Sequence, residues 1–422
     1  MANTLLTDQH ITSEALMILE NNLTFTKQVN RELQREYTGP THRGATIFVK
    51  KPPRYTVRDG QNVSVQDTTI TQVPLTLNHQ YGVDVQFSSQ DLTLSIDAFS
   101  EQVLAPQIVA IANQIDYAGL ALASQVANTV GTPGTTPGSG ATAQQTLGVF
   151  SNAGAALDKT GTPRDNQRAL VINEDCQASV IPALSGLFQD SGSISDQYKK
   201  GTMGTALGFK WSMSQNVNSY TTGAQGGTPQ INGTVTPQAG PSGTSLSASS
   251  TTFNVPTKGW TASTQVLNAG DVVTFAGCYQ TNPVSLATTN KLKQFVLVQN
   301  ATSDGSGNAT LVVSEPMITS GAWKNVSNVP AANAAVIVST SPANTVSPMN
   351  LAFHKQAFTF ASVNLPLPGG VHMSARKSDD QLGISLRFVA GYNISTDQFL
   401  GRFDILCGWG VIRPEWAVRI QG

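Results

Sequence analysis

The sequence is poor in charged residues and has no long apolar run. Only 12% of its residues are charged, about half of the ~25% that is usual in soluble domains. The formal net charge of −1 argues against a dedicated nucleic-acid binder, which needs a basic surface. No run of about 18 apolar residues offers a membrane span. The N-terminal residues lack the features of a signal peptide, which predicts synthesis and residence in a cytoplasm.

Cysteine is scarce as well, and its spacing excludes two common uses. Cys176, Cys278 and Cys407 are odd in number and more than a hundred residues apart. This spacing argues against a disulfide framework and against a zinc site. We therefore expect three buried thiols.

Motifs for catalysis, metal binding or phosphate binding are missing. The five histidines never occur four residues apart or near a cysteine, and His354 is expected to be a satisfied, half-buried side chain. Prolines in the glycine-rich run at 129–142 remove amides that a phosphate would need. The adjacent carboxylates Glu174–Asp175 and Asp379–Asp380 favour a helix start or a polar turn, because an acid/base pair must converge on one point. We predict no catalytic residue, no cofactor and no metal.

Residues 13–36 have the periodicity of a helix. An N-capping serine precedes leucines that share one face, and Lys27, Arg31 and Arg35 recur every four residues on another. Residues 1–38 are therefore interpreted as an N-terminal arm with a basic stripe. The stripe suits an acidic partner, although an ordinary solvated helix face has the same pattern.

Residues 45–87 alternate as β-strands do, around a pair of prolines and an Asp59–Gly60 turn signal. Few large apolar residues lie near the turn, which predicts a long hairpin that projects from the body. Isolated two-stranded ribbons are marginal in water, so this hairpin needs a neighbouring molecule. Its cationic residues are Lys50, Lys51, Arg54 and Arg58.

The segments that follow predict an α+β core. An apolar stripe from Ile108 to Val126 indicates a long helix of roughly 30 Å. A second helix is capped by Thr142 and ends at the KTGTP run. The run RALVIN at 168–173 predicts a buried strand, and a helix is expected from Glu174 onwards.

The composition changes sharply at residue 219. The 132 residues from 219 to 350 contain seven charged residues, whereas the remaining 290 contain 44. Short alternating runs separated by turn signals predict a small antiparallel β-barrel or sandwich inserted into the host domain. The strand-like tail at 402–420 is then expected to complete the sheet begun before the insertion.

Taken together, these elements resemble the coat protein of short-tailed, double-stranded DNA bacteriophages that carry an inserted β-domain, the P22-like coat protein family. The likeness covers essentially the whole chain. It rests on the runs DLTLSIDAFSEQVLAPQIVAIANQID, GTMGTALGFKWSMSQNV, AGDVVTFAG, NLAFHKQAFTFASVNLPL and RFDILCGWGVIRPEWAVRI.

The resemblance implies an α+β, HK97-like capsid protein fold. Its implied parts are an N-terminal arm (1–38), an extended loop or E-loop (39–80), a peripheral domain with the spine helix (81–164), an axial domain (165–218), the inserted β-barrel domain (219–350) and strands that complete the axial and peripheral core (351–422). Its implied function is that of a major capsid protein, not an enzyme. Pentamers and hexamers of the chain would assemble into an icosahedral procapsid and then an expanded head.

The resemblance also implies partners. These are the scaffolding protein, the portal protein and the packaged double-stranded DNA, contacted non-specifically, with assembly in the host bacterial cytoplasm. Lys27, Arg31 and Arg35 are then expected to contact the scaffolding protein or a neighbouring subunit. For the hairpin, contacts with an adjacent capsomer are expected at Lys50, Lys51, Arg54 and Arg58.

Two alternatives stay open from the residues themselves. Another phage virion protein, of the tail-tube or decoration type, fits the composition but not the spine helix. A secreted β-rich carbohydrate-binding protein is suggested only by the middle rich in serine, threonine and glycine.

Overall fold

The computed structural model describes residues 8–33, 45–63, 65–66, 68–88, 105–140, 143–184, 204–241, 252–379 and 383–422. The chain divides into two compact units, of which the first comprises Met1–Phe48, Pro74–Leu120 and Phe358–Gly410, and the second Val49–Val73, Ala121–Ala357 and Val411–Gly422. Both units contain helices and sheets, which confirms the predicted α+β class. Within the described residues, no helix is both long and apolar enough to span a membrane.

The elements follow the chain in this order. The helices are α1 (Asp8–Asn22), α2 (Ala105–Leu120), α3 (Ala143–Lys159) and α4 (Glu174–Leu184). The strands are β1 (Thr46–Lys51), β2 (Thr71–Thr76), β3 (His79–Ser88), β4 (Thr129–Gly131), β5 (Arg168–Ile172), β6 (Thr205–Ala206), β7 (Phe209–Met213), β8 (Ser219–Thr221), β9 (Gly227–Ile231), β10 (Phe253–Trp260), β11 (Gln265–Leu267), β12 (Val272–Thr281), β13 (Thr288–Val296), β14 (Ala301–Thr302), β15 (Ala309–Val313), β16 (Val336–Val338), β17 (Val346–His354), β18 (Phe358–Val363), β19 (Met373–Asp379), β20 (Ile384–Asn393), β21 (Gln398–Val411) and β22 (Ala417–Gln421).

The first unit is organised around a five-stranded sheet. Its order is β18-β21-β20-β19, and β3 also pairs antiparallel with the long strand β21. Aromatic rings fill the core: Trp409 lies 5.4 Å from Phe25 and 4.8 Å from Phe360 between ring centroids. Gly119 of α2 lies against the same indole, where an added Cβ would lie 2.6 Å from the ring. A side chain at this position would therefore separate α2 from the core.

The helix predicted over residues 13–36 ends at Asn22, so the prediction is wrong for residues 23–33, and residues 34–36 lie outside the described residues. The cause is Asp116 of α2, which is buried and accepts the backbone N–H groups of Thr24, Phe25 and Thr26 at 2.6, 3.1 and 3.0 Å. The hydroxyl of Thr26 also donates to this carboxylate. These bonds hold the chain in a turn that leads into a short 3₁₀ helix, Thr26–Gln28.

The second unit contains a seven-stranded sheet of order β4-β22-β17-β5-β7-β6, with β8 paired to β17. Strand β22 lies between β4 and β17, and β17 pairs in turn with β5, the strand predicted at 168–173. The expectation that the tail completes a sheet begun before the insertion is thus confirmed. Phe150 and Leu157 of α3 share a buried cluster with Val418 and Ile420 of β22.

The segment 219–350 starts and ends at neighbouring strands. Residues 219–221 pair antiparallel with residues 346–348. In between, the described strands form the separate sheets β15-β10-β9, β13-β12-β16 and β11-β14 around one apolar core that includes Trp260, Phe275 and Phe295. The predicted β-barrel is not confirmed, because no closed barrel is found among the described strands: isolated bridges, Gln230 with Ala335 and Leu297 with Val313, join the sheets in place of continuous ladders.

A buried arginine joins this segment to the tail strand. Arg419 of β22 is fully buried, donates from Nη2 to the carbonyl of Gly270 at 2.7 Å, and has its guanidinium 5.5 Å from the ring centre of Tyr220. Asp271 follows in the chain and accepts the backbone N–H groups of Gly223 and Asn268 at 3.0 and 2.8 Å. Arg419 therefore connects the segment 219–350 to the tail strand, and Asp271 holds two parts of the segment together.

Candidate functional site

Among its described residues, the hairpin predicted at 45–87 pairs with itself only at its base, where β1 pairs with β2, while β3 pairs with β21. Further out, Gln66 replaces the ladder: its Oε1 accepts from the N–H of Thr56 at 2.8 Å, and its Nε2 donates to the carbonyl of Thr56 at 2.6 Å. Two prolines after β1 remove backbone donors. The predicted strand at 55–57 is therefore wrong, as is the one at 63–65 for its described residues. We call residues 49–73 the ribbon.

The tip of the ribbon exposes apolar side chains. Val57, Val63 and Val65 are 99%, 81% and 88% exposed. Arg58 donates to the carbonyls of Gly60 and Asn62 in the same turn, so this cation closes the tip. The tip thus presents valine to solvent and fixes its own turn.

The base of the ribbon contacts other parts of the second unit. The guanidinium of Arg54 lies 4.8 Å from the ring centre of Trp323 and 3.7 Å from Oε1 of Glu415. Lys51 is half-buried beside it, whereas Lys50 is exposed. A cationic side chain over an indole contributes about 0.5–1 kcal/mol at exposed sites and more when desolvated. Arg54 therefore stabilises the base within its own chain.

A cavity of about 260 Å³ is lined by Lys51, Arg54, Trp323 and Glu415, among others. On its wall, Nζ of the buried Lys293 lies 2.9 Å from Oε2 of Glu315. Burial raises the pKa of Glu315, but the positive charges of Lys293, Lys51 and Arg54 outweigh this effect and lower the pKa below its ordinary value. Glu315 is thus ionised at neutral pH and neutralises Lys293.

The predicted basic stripe does not lie along one helix face. Lys27 is exposed in the 3₁₀ helix, and Arg31 follows that helix as a half-buried side chain. Burial lowers the pKa of Arg31, and the nearby charges of Asp379 and Glu20 act in the opposite direction. Arg35 lies outside the described residues. The contact predicted for these three cations stays a prediction.

Other side chains singled out in the sequence have structural roles. Cys176, Cys278 and Cys407 are buried and unpaired, as expected, and burial raises the pKa of each thiol to about 12. His354 is satisfied, as predicted, but fully buried: Nε2 lies 3.1 Å from both carboxylate oxygens of Asp165. Among the residues that the structure describes, no cluster of histidine, cysteine and acidic side chains would hold a metal.

Sequence patterns did not predict the cavity, although the composition of the segment 219–350 contained a signal. Three of the seven charged residues between 219 and 350, namely Lys293, Glu315 and Lys324, line it. Charges so rare in a segment are candidates for specific contacts. Their convergence with the ribbon was not visible, because the partners are more than 200 residues apart.

Comparison with known proteins assigns the chain to a family. The family model described as "P22 coat protein - gene protein 5" matches residues 1–422. The class of this protein is therefore that of a phage coat protein. The chain belongs to the P22 coat protein family, so it associates with copies of itself into the shell of a phage virion as the major capsid protein. The family is one of structural capsid proteins.

The solved structures that it resembles include phage capsids. A structure from Mycobacterium phage Che8 has a TM-score of 0.47 and 14% identity, with 94% of this chain and 90% of that chain covered. The capsid structure of cyanophage P-SCSP1u has a TM-score of 0.44 and 10% identity, covering 94% and 87%. At these values the likeness adds no argument to the family assignment. No curated protein matches.

Proposed function

We propose that the ribbon tip joins neighbouring subunits of the shell. The observation that carries this proposal is the exposed apolar surface of Val57, Val63 and Val65. Burial of a valine side chain contributes about 1.5–3 kcal/mol, so three of them supply several kcal/mol to a contact with a second copy. A contact repeated around a closed shell needs no strong pairwise affinity.

Charge placed at the tip tests this proposal. Val63→Asp is expected to reduce the yield of shells at least tenfold when the full-length chain is expressed with its scaffolding protein, because a carboxylate would be buried in the contact. Negative-stain microscopy and sedimentation measure the yield. Val284→Asp is the matched control, since Val284 is 80% exposed in the segment 219–350. Equal yields from both variants would refute the role of the tip.

The cations of the ribbon have different places in this proposal. Lys50 is exposed and Arg58 closes the tip, which suits contacts with an adjacent capsomer as predicted from the sequence. Lys51 and Arg54 face the cavity of their own chain. Their contribution to a capsomer contact is therefore proposed to be indirect, through the position of the ribbon.

We further propose an HK97-like arrangement for the chain, with the boundaries expected from the sequence: arm 1–38, E-loop 39–80, peripheral domain 81–164, first part of the axial domain 165–218, insertion 219–350, and strands 351–422 that complete the axial and peripheral core. The pairing of β8 with the start of β17 supports the insertion boundaries. Its barrel character is supported by the single apolar core and by isolated bridges between Gln230 and Ala335 and between Leu297 and Val313.

The remaining partners follow from the family. We propose assembly in the host bacterial cytoplasm with a scaffolding protein, a portal protein and double-stranded DNA packaged without specific contacts. Of the three cations predicted to contact the scaffold or a neighbour, Lys27 is exposed and Arg31 half-buried. Of these two described cations, Lys27 is thus the better placed for an acidic partner, and Arg35 lies outside the described residues.

A further inference from the structure

The cavity at the base of the ribbon carries an excess of positive charge. Its ionisable lining is Lys51, Arg54, Lys293, Lys324, Glu315 and Glu415. Four cations therefore face two carboxylates. Because Glu315 neutralises Lys293 at 2.9 Å, the excess falls on the ribbon base and on Lys324.

Arg54 has donors that the described residues of its own chain do not use. Its approach of 3.7 Å to Glu415 is too long for a hydrogen bond. The face of the guanidinium is covered by Trp323, which leaves the edge with its N–H groups. Glu415 also acts electrostatically on Arg413, so this carboxylate is shared between two arginines. A guanidinium edge suits bidentate contacts with carboxylate or phosphate.

Two ammonium groups add to this edge. Neither Lys51 nor Lys324 forms a side-chain hydrogen bond or an ion pair with the part of the chain that the structure describes. Both are half-buried; Lys51 shares the charge of Glu315 with Lys293 and Arg54, and a cation partly removed from water without a hydrogen-bond partner is unfavourable. An anion between them would remove this penalty.

The size of the cavity limits what it holds. Its volume of about 260 Å³ lies below the roughly 300–1,000 Å³ of sites for drug-sized ligands and cofactors. The cavity is therefore smaller than the usual site for such ligands. A single oxyanion with its hydration water fits.

We propose that this cavity binds one small oxyanion, a phosphate or a carboxylate group, through the guanidinium edge of Arg54 and the ammonium groups of Lys51 and Lys324. Lys51 and Arg54 belong to the ribbon, and Lys324 belongs to the segment 219–350. The bound anion therefore ties these two segments of the second unit together. Its source is free phosphate or an acidic side chain of another copy of the chain.

Calorimetric titration of the full-length protein tests the site. Inorganic phosphate and glutarate are added in separate experiments, with ionic strength held constant by sodium chloride. We expect saturable binding of one anion per chain, weakened at least tenfold in Lys51→Gln and in Lys324→Gln. Lys291→Gln is the matched control, because Lys291 is exposed on β13, does not line the cavity and carries the same charge; its binding should equal that of the wild type.

The outcome identifies the source as well. Phosphate binding that glutarate does not displace supports free phosphate as the ligand, whereas glutarate binding supports a carboxylate. Far-UV circular dichroism and the melting temperature establish that the variants are folded. Because Lys51→Gln and Lys324→Gln are independent, either one tests the site if the other does not fold. Absence of saturable binding by either anion, or equal weakening in Lys291→Gln and Lys51→Gln, would overturn the proposal.

Discussion

Asp116 holds the turn after α1, and its replacement by asparagine gives the sharpest test of the first unit. In the wild type, one carboxylate oxygen accepts the N–H groups of Thr24 and Phe25, and the other accepts the N–H and the hydroxyl of Thr26. An amide keeps a single acceptor oxygen and turns an NH₂ group toward the other two donors. The substitution therefore leaves one or two buried donors unsatisfied: either the N–H groups of Thr24 and Phe25, or the N–H of Thr26 alone, because the Thr26 hydroxyl can rotate and accept from the NH₂ group.

The expected loss follows from these donors. Each buried donor left without a partner costs about 1–3 kcal/mol, which gives about 1–6 kcal/mol for one or two donors. Burial raises the pKa of Asp116, against the hydrogen bonds of Thr26, Thr24 and Phe25, so the wild type also bears a desolvation penalty that the amide avoids. We therefore expect a loss near the lower end, about 2 kcal/mol. For a domain of this size that lowers the melting temperature by about 4–8 °C.

The pH dependence has a definite sign. A carboxyl group with a raised pKa binds its proton more tightly in the folded state, so its contribution to stability declines as pH rises from its ordinary pKa, about 3.9, through the raised value. The stability advantage of the wild type over Asp116→Asn should therefore be larger below this window than above it. Urea unfolding at several pH values measures the difference.

Hydrogen exchange provides the local measurement. The amides of Thr24, Phe25 and Thr26 should lose protection in Asp116→Asn. The control is Asp84→Asn, because Asp84 is an exposed acid of the same unit whose ion pair with Arg402 is 3.6 Å long; this variant should stay within about 0.5 kcal/mol of the wild type. If Asp116→Asn unfolds like Asp84→Asn with amides 24–26 still protected, the turn does not depend on Asp116.

Two further predictions concern charges in the second unit. Glu315 has a lowered pKa in the folded state, so its stabilising contribution is present above the ordinary pKa of a glutamate, about 4.3, and is lost as pH falls through the folded value. Acid unfolding of Glu315→Gln should therefore be less pH-dependent in this window than that of the wild type. An unchanged unfolding profile would exclude the ion pair with Lys293 as the cause. Arg419→Met should lower the free energy of unfolding in urea by about 3–5 kcal/mol. The substitution removes the buried cation that interacts with the charge of Asp271 and donates to the carbonyl of Gly270. A loss below about 1 kcal/mol would show that apolar packing can replace the pair.

Local sequence patterns predicted the helices and strands whose tertiary contacts agree with the secondary-structure preference of their own residues. Helix α3 follows the predicted cap at Thr142 and ends at Lys159, before the KTGTP run is complete. Strand β5 matches the apolar run at 168–173, and its five residues are all buried. In the segment 219–350, the predicted alternating runs lie in β10, β12, β13, β15 and β16. Periodicity was sufficient because each run buries one face in the nearest core.

The sequence failed where a distant side chain decides the local structure. The helical pattern continues past Asn22, but the carboxylate of Asp116, about 90 residues away, takes the N–H groups of the next residues. In the ribbon, the alternation predicts strands, yet the amide of Gln66 replaces the backbone ladder opposite Thr56. Such contacts have no periodic signature, and the cavity has none either.

The scarcity of charge in the segment 219–350 takes on a specific meaning once its partners are known. Arg419 of the tail strand lies close enough to Asp271 for their charges to interact, while Lys293, Glu315 and Lys324 line the cavity at the ribbon base. Asp271, Lys293 and Glu315 thus interact with other groups of the subunit, and Asp304 accepts hydrogen bonds within its own turn. The rest of the segment is left nearly neutral, and a neutral surface meets copies of itself without like-charge repulsion. In a shell, each subunit faces identical neighbours. Charges that form contacts inside the subunit stabilise its fold, and the nearly neutral surface that remains allows copies to pack against one another.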